Sequence, residues 1–326
     1  MDILTDQWGR TIDYLRISVT DRCNLRCKYC MPDKNIGFMQ KEDLLTKDEI
    51  YRIANLASNI GIKKIRITGG EPLAREDTVE IIKNIKSLKG IKEVCLTTNG
   101  IFLRSYLDKL IEVGIDVINI SLDTLEEKKY RTITGGGDIT AVLDSINKCV
   151  EKGVKVKLNT VIIKDFNEGE ILDFIQFAED KNIQIRFIEM MPLGAGKNFQ
   201  TIAVDKIKEI IEEKIKLISY KSSANSNGPA VYYKSEEGKG TIGFISPISH
   251  TFCESCNRIR LTADGFLKQC LHFKKGEDLK KLMRQGVTDE KLINVIKKCC
   301  YLKPKHHSFQ SENQYSEKRF MYQIGG

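Results

Sequence analysis

The sequence has no apolar run approaching the roughly 18–20 residues of a membrane-spanning helix. Its opening segment, MDILTDQWGR, is polar and mixed in charge, without the apolar stretch that directs secretion. No low-complexity tract and no internal repeat stand out beyond an alternation of strand-like and helix-like segments. Histidine is scarce: there are four, none before His250. No aromatic-rich segment of the kind that stacks RNA bases is present. These absences predict a cytoplasmic protein without a membrane or nucleic-acid partner. Cysteine, by contrast, is plentiful. Ten cysteines without a secretory signal predict thiolate metal chemistry in a reducing compartment, not a disulfide framework. Positive charge is the other surplus. A formal net charge of +8 calls for an anionic partner, and its sign alone does not choose between nucleotide and nucleic acid.

A chain of 326 residues accommodates one large α/β domain with an extension, or two domains. Six short β-rich runs appear: YLRISVT, KIRITGG, EVCLTTN, DVINISLD, VKVKLNTVI and IQIRFIEM. Between them lie amphipathic segments of helical length, from Thr46 to Asn59, Asp77 to Leu88, Phe102 to Val113, Ile139 to Lys152 and Glu168 to Asp180. Thr46 three residues before Glu49 has the form of a capping box. Six βα units in series predict a parallel sheet with right-handed crossovers, doubly wound or a partial barrel, with ligands at the C-terminal strand ends. The pattern breaks near residue 219, where SYKSSANSNGPA reads as a turn-rich loop. The expected division is therefore 1–218 and 219–326, the second part beginning with a β-rich, cysteine-bearing segment.

Three cysteines fall just after the first strand, as Cys23-x3-Cys27-x2-Cys30. A structural zinc needs a fourth ligand, which only a remote residue could supply. A three-cysteine [4Fe–4S] site leaves one iron free for an exogenous ligand. A second set, Cys253-x2-Cys256-x13-Cys270, again offers three thiols, with His250 or His272 available if it were a zinc ribbon. Four strand-like runs each carry a cation among apolar neighbours: Arg16, Arg66, Lys157 and Arg186. In a barrel covered outside by helices, such a cation is costly unless it faces the lumen and meets an anion. Arg258 and Arg260, two apart in NRIRL, share a face if extended. Ion pairs with Glu189 or Asp123 are the alternative for any one of these cations. Cys95 and Cys149 read as core thiols. Cys299, Cys300, His306 and His307 read as structural.

With those residues in place, the sequence resembles the radical S-adenosylmethionine (SAM) superfamily. The first triad, with Tyr29 and Met31 beside it, carries the resemblance, and so does TGGEPL from Thr68 to Leu73. Gly69 and Gly70 in that turn let backbone groups come close, and Glu71 can accept from an ammonium. The segments GRTIDYLRISVTDRCNLRCKYCMP, LTTNG, NISLDTL, RFIEMMPLG, FCESCNRIRLTADGFLKQCL and the terminal GG resemble the GTP 3′,8-cyclase family of molybdenum cofactor biosynthesis over essentially the whole chain. The resemblance implies a partial (β/α)6 TIM-like barrel with a C-terminal extension carrying a second cluster. It implies two [4Fe–4S] clusters and SAM as cofactors, with Cys23, Cys27 and Cys30 holding one cluster and Cys253, Cys256 and Cys270 the other. Tyr29, Gly70, Ser121 and Met191 are implied to contact SAM. Arg16, Arg66, Thr97, Lys157, Arg258 and Arg260 are implied to contact GTP, with Arg186, Gly325 and Gly326 as active-site residues. Implied partners are an electron donor of flavodoxin or ferredoxin type, the downstream cyclic pyranopterin monophosphate synthase and a second copy of the chain. The implied reaction is cleavage of SAM to a 5′-deoxyadenosyl radical, hydrogen abstraction at C3′ of GTP and attack of C3′ on C8 of guanine. Rival readings are a radical SAM enzyme acting on a peptide or RNA, and a zinc-bearing nucleic-acid-binding protein.

Overall fold

The computed structural model describes residues 3–32, 37–220, 228–236, 238–307, 309 and 316–325. Its first half is the six-fold alternation read from the sequence. Strand β1 (Tyr14–Ser18) leads through a long loop to α1 (Lys47–Asn59), then β2 (Lys64–Thr68) to α2 (Thr78–Lys86), and β3 (Glu93–Thr98) to α3 (Leu103–Glu112). Strand β4 (Val117–Ser121) is followed by two helices, α4 (Glu127–Thr134) and α5 (Ile139–Glu151). Then come β5 (Val156–Ile162), α6 (Ile171–Asp180), β6 (Gln184–Glu189) and α7 (Val204–Glu212). Thr46 caps α1 as expected: its side chain accepts from the Glu49 amide at 3.1 Å, and Glu49 accepts from the Thr46 amide at 2.8 Å. The expected start of α6 at Glu168 is a short 3-10 turn, and the α-helix begins at Ile171. Helix α4 is an addition to the expected alternation, and α7 completes its sixth unit.

Strands β1 to β6 are parallel neighbours in sequence order. Alternation of side chains assigns their two faces. Leu15, Ile65, Val94, Ile118, Leu158 and Ile185 belong to the single large core beneath the helices. The intervening positions turn to the concave side. They include Arg16, Arg66, Thr97, Asn119, Lys157 and Arg186.

The C-terminal part contributes β7 (Leu217–Ser219), β8 (Val231–Ser235), β9 (Thr241–Ile245), β10 (Arg258–Leu261), β11 (Phe266–Lys268) and β12 (Gly276–Asp278). It continues with α8 (Leu279–Arg284), α9 (Asp289–Tyr301) and the four-residue α10 (Met321–Ile324). These strands build on both edges of the six-stranded unit. β9 pairs parallel with β6, and β10 pairs parallel with β1. The whole is one 12-stranded sheet, so strands from both sides of the expected division at residue 218 share it. No described helix is long and apolar enough to cross a membrane.

Candidate active site

The register locates the two cysteine sets at opposite ends of the concave side. Tyr14 at the start of β1 lies beside Arg258 at the start of β10. Cys23, Cys27 and Cys30 follow β1 and so sit beyond its C-terminal end. Cys253 and Cys256 precede β10 and sit at the N-terminal end, where the antiparallel β11 also delivers Cys270. A five-residue strand separates the ends by about 16 Å at 3.3 Å per residue, a length a nucleoside triphosphate can bridge.

At the C-terminal end, the glycine turn after β2 packs against the backbone of the first cysteine loop. The Gly70 amide donates to Thr20 O at 2.7 Å and the Glu71 amide to Arg22 O at 2.8 Å. A Cβ at Gly70 would lie 2.4 Å from Arg22 O, so no other residue fits. The sequence leaves Glu71 able to accept from an ammonium. Instead its fully buried carboxylate accepts from the Leu73 amide (2.9 Å), the Thr98 hydroxyl (2.8 Å) and the Asn99 amide (2.7 Å), lacing the ends of β2 and β3 together. Burial raises its pKa to about 7. Tyr29 donates its hydroxyl to Asp123 at 2.5 Å and meets the Phe199 ring edge-on. Ser121 closes β4 and Met191 follows β6, so both stand at the same rim.

Burial holds all three thiols of the first set up: Cys23 to about 11, with Glu71 adding to it; Cys30 to about 12, with Cys23 adding; and Cys27 well above its ordinary value, with Cys30 adding. Three adjacent thiolates are unfavourable here without a cationic group to receive them. Among the described residues no three His, Cys, Asp or Glu side chains are grouped to hold a single metal ion. A larger iron–sulfur body with three thiolate ligands fits this donor set; one tetrahedral zinc does not. The second set differs. Burial alone would raise the Cys256 thiol, but Arg258 and Lys303 outweigh it and bring the pKa to about 6. The Arg258 guanidinium reaches Cys256 Sγ at 3.7 Å and lies 4.8 Å from the centre of the Phe252 ring. Arg258 and Lys303 thus favour the thiolate of Cys256, the form that ligates a metal. A cleft of about 380 Å³, lined by Arg10, Asp13, Phe252, Cys256 and Arg258, opens this end to the surface.

Between the two ends runs a row of cations. Arg16 lies directly beside Arg66 on one strand and Arg260 on the other, and Arg260 lies opposite Lys268. Arg66 donates to the Thr97 hydroxyl at 3.3 Å and lies 5.7 Å from the Tyr14 ring centre. Thr97, Asn119 and Lys157 occupy one register line across β3, β4 and β5. Arg186 donates to Asn119, which in turn donates to Leu96 O at 2.9 Å. Lys157 sits 5.7 Å from the Tyr232 ring centre. The Nε atoms of Arg66 and Arg186 are buried without a hydrogen-bond partner among the described residues. The two carboxylates weighed as partners are engaged elsewhere. Glu189 accepts from the Val204, Ile248 and Ser249 amides, and Asp123 from Tyr29 and the Val161 amide. Burial lowers Arg16 strongly, with Arg260 and Arg66 adding to it. Burial, then Arg186, lowers Lys157 to about 7; burial, then Arg258, lowers Arg260 to about 10. Several cations that depress one another in a buried lumen fit a multiply charged anion.

The C-terminal tail enters this space. Gly325 O accepts from Arg260 Nη1 at 2.5 Å, and the Tyr322 amide donates to the Cys30 thiol. Gly325 has φ +75°, and a Cβ there would lie 3.0 Å from both Ser18 Cβ and Thr68 Oγ1. Gly326 lies outside the described residues. Cys95, Cys149, Cys299 and Cys300 are buried. His307 meets Pro247 O at 2.8 Å, and its ring lies 6.3 Å from that of His272. Sequence reasoning passed over Arg10, Asn119, Lys268 and Glu317. Arg10 binds Asp6 at 2.5 Å, Cys253 O at 2.6 Å and Pro304 O at 2.8 Å, holding the second cysteine loop. Asn119 carries the same signal as the arginines, a polar residue between apolar ones in VINIS, whereas Lys268 ends the short strand FLK.

Residues 17–178 match the Radical SAM superfamily, and residues 183–309 match Molybdenum Cofactor Synthesis C. Over 323 residues the chain is 51% identical to a GTP 3′,8-cyclase of Clostridium perfringens strain 13, covering 99% of this chain and all of that one. It is 43% identical over 336 residues to a GTP 3′,8-cyclase of Listeria monocytogenes, with both chains fully covered. A structure of Streptococcus suis SuiB bound to S-adenosylmethionine superposes with a TM-score of 0.66, at 16% identity, over 90% of this chain and 67% of that one, a likeness of fold. An open parallel barrel, a three-thiol loop at its mouth and a glycine turn packed under that loop define a radical SAM enzyme. The chain belongs to the GTP 3′,8-cyclase family of that superfamily. SAM and two [4Fe–4S] clusters are the cofactors that follow from this membership.

Proposed function

We propose that this chain converts GTP to (8S)-3′,8-cyclo-7,8-dihydroguanosine 5′-triphosphate, the first step of molybdenum cofactor biosynthesis. The observation that carries the reading is the cation row running between two three-thiol sets. Cys23, Cys27 and Cys30 hold one cluster, and Tyr29, Gly70, Ser121 and Met191 contact SAM beside it. Bound SAM and the reduced cluster supply a 5′-deoxyadenosyl radical. Arg16, Arg66, Thr97, Lys157, Arg258 and Arg260 hold GTP along the lumen, with the guanine toward the cluster of Cys253, Cys256 and Cys270. This orientation brings ribose C3′ toward the SAM end. Arg186 and the tail glycines, Gly325 and Gly326, complete the walls and keep water and stray hydrogen donors from the substrate radical. The chemistry requires a low-potential electron donor of flavodoxin or ferredoxin type, and its product suits a downstream cyclic pyranopterin monophosphate synthase in the same cytoplasm. The test is anaerobic turnover with GTP, SAM and a reductant. The expected result is 5′-deoxyadenosine formation matched to loss of GTP; SAM cleavage that ignores GTP, or a peptide or RNA as the true hydrogen source, overturns the reading.

A further inference from the structure

The tail poses a mechanical problem. Among the described residues its one regular element, α10, has four residues, too few to hold itself in place. Something outside the lumen must fix where it enters. The structure contains such a device. Ser316 bridges Phe273, and the Glu317 amide donates to His272 O at 2.7 Å. The Glu317 carboxylate then accepts from Lys268 Nζ, from Arg319 Nε at 3.2 Å and Nη2 at 3.1 Å, and from the Lys318 and Arg319 amides at 3.1 and 3.0 Å. Lys268 is fully buried and also donates to Phe273 O at 2.7 Å. Arg319 lies 3.7 Å from Asp264 Oδ2 and 5.8 Å from the Phe266 ring centre.

Lys268 and Arg260 are direct cross-strand neighbours. One receives Glu317 at the base of the tail, and the other receives the Gly325 carbonyl near its tip. Lys268 therefore differs from the other cations of the row: its charge is spent on the tail.

We propose that Glu317 is a positioning residue for the cyclisation. Locked to Lys268 and Arg319, it sets the point of entry from which the Tyr322 amide reaches Cys30 and the Gly325 carbonyl reaches Arg260. This rests on the reading of the lumen as the GTP site. The simpler role, support of the fold alone, makes a different set of outcomes.

The experiment uses the full chain, anaerobically reconstituted, as parent, Glu317→Gln and Glu317→Asp. Hydrogen exchange of the segment after Ser316 is followed beside exchange of β1 to β6, iron content, and 5′-deoxyadenosine formation with and without GTP. The glutamine variant leaves a buried lysine without its anion. It is expected to raise tail exchange, and to lower the GTP-dependent rate at saturating GTP, by about tenfold or more. Iron content, barrel exchange and GTP-independent SAM cleavage should stay at the parent level. The aspartate variant, which keeps the charge, should recover part of both losses. Parental tail exchange in Glu317→Gln overturns the proposal. So does a loss of iron or of barrel protection that accompanies the loss of rate, because Glu317 is then a support of the fold. If the parent itself fails to cyclise GTP, the reading of function fails while tail exchange still judges the anchor.

Discussion

Lys157 offers a quantitative test of the lumen. Burial and the neighbouring Arg186 hold its ammonium pKa near 7. In the free enzyme it is about nine-tenths charged at pH 6 and about one-tenth charged at pH 8. A triphosphate beside it favours the charged form and returns the pKa toward the ordinary lysine value of roughly 10.4. Binding must then take up about 0.9 proton at pH 8 but only about 0.1 at pH 6. The sign follows: a depressed lysine must be charged before it can hold an anion, so its contribution weakens as pH rises through 7. Over pH 6 to 8 the loss is about tenfold in affinity, or about 1.4 kcal/mol. The γ-phosphate of GTP ionises in part of the same window and acts in the opposite sense. The variant Lys157→Met isolates the lysine, since the phosphate contribution is common to both proteins. Calorimetry at pH 8 in buffers of different ionisation enthalpy gives the protons directly. The parent should take up about 0.9 more than the variant, and the variant's affinity should fall less from pH 6 to 8. Equal proton uptake would remove Lys157 from the triphosphate site.

Two further outcomes follow from the same geometry. Cys256→Ala should leave one cluster, about four irons in place of about eight, with SAM binding retained and cyclisation lost; a variant that cyclises GTP at the parent rate would make the second set structural. Gly325→Ala forces an L-residue into a left-handed conformation at a cost of about 1–2 kcal/mol, with its Cβ 3.0 Å from Ser18 and Thr68. GTP-dependent turnover should drop by about tenfold or more while the melting temperature holds, and an unchanged rate would show that the tail's seat does not matter.

The first half of the fold was legible because each βα unit states its own period. Strands β1 to β6 carry buried residues, most of them apolar, at every second position, and the helices between them are amphipathic. The cluster loops were legible because ligand spacing is local. The order of the sheet was not. Nothing local in RIRL says that β10 lies beside β1, some 240 residues earlier, because parallel pairing is set by tertiary packing. The part of the tail was open for the same reason. Composition alone marks IGG as a loose end, and only the structure shows Gly325 against Ser18 and Thr68. The direction of Glu71 was not legible because a motif gives a residue type and not a direction; its carboxylate turns inward to three donors. Glu317 carries no sequence signal, since an acidic residue in a polar terminal stretch is ordinary until its partner proves to be a fully buried lysine.

The late arrival of both edge strands has a consequence for synthesis on the ribosome. When residue 218 emerges, β1 and β6 each present an unpaired rim of backbone donors and acceptors, a template for pairing with another chain. Their partners, β10 and β9, lie in residues 241–261. At about 5–20 residues per second, the nascent barrel stays uncapped on both sides for seconds. A fragment ending near residue 218 would remain in that condition permanently. It should be recovered in aggregates or bound to chaperones, and a stop codon between residues 218 and 241 would therefore cost the cell more than a lost active site.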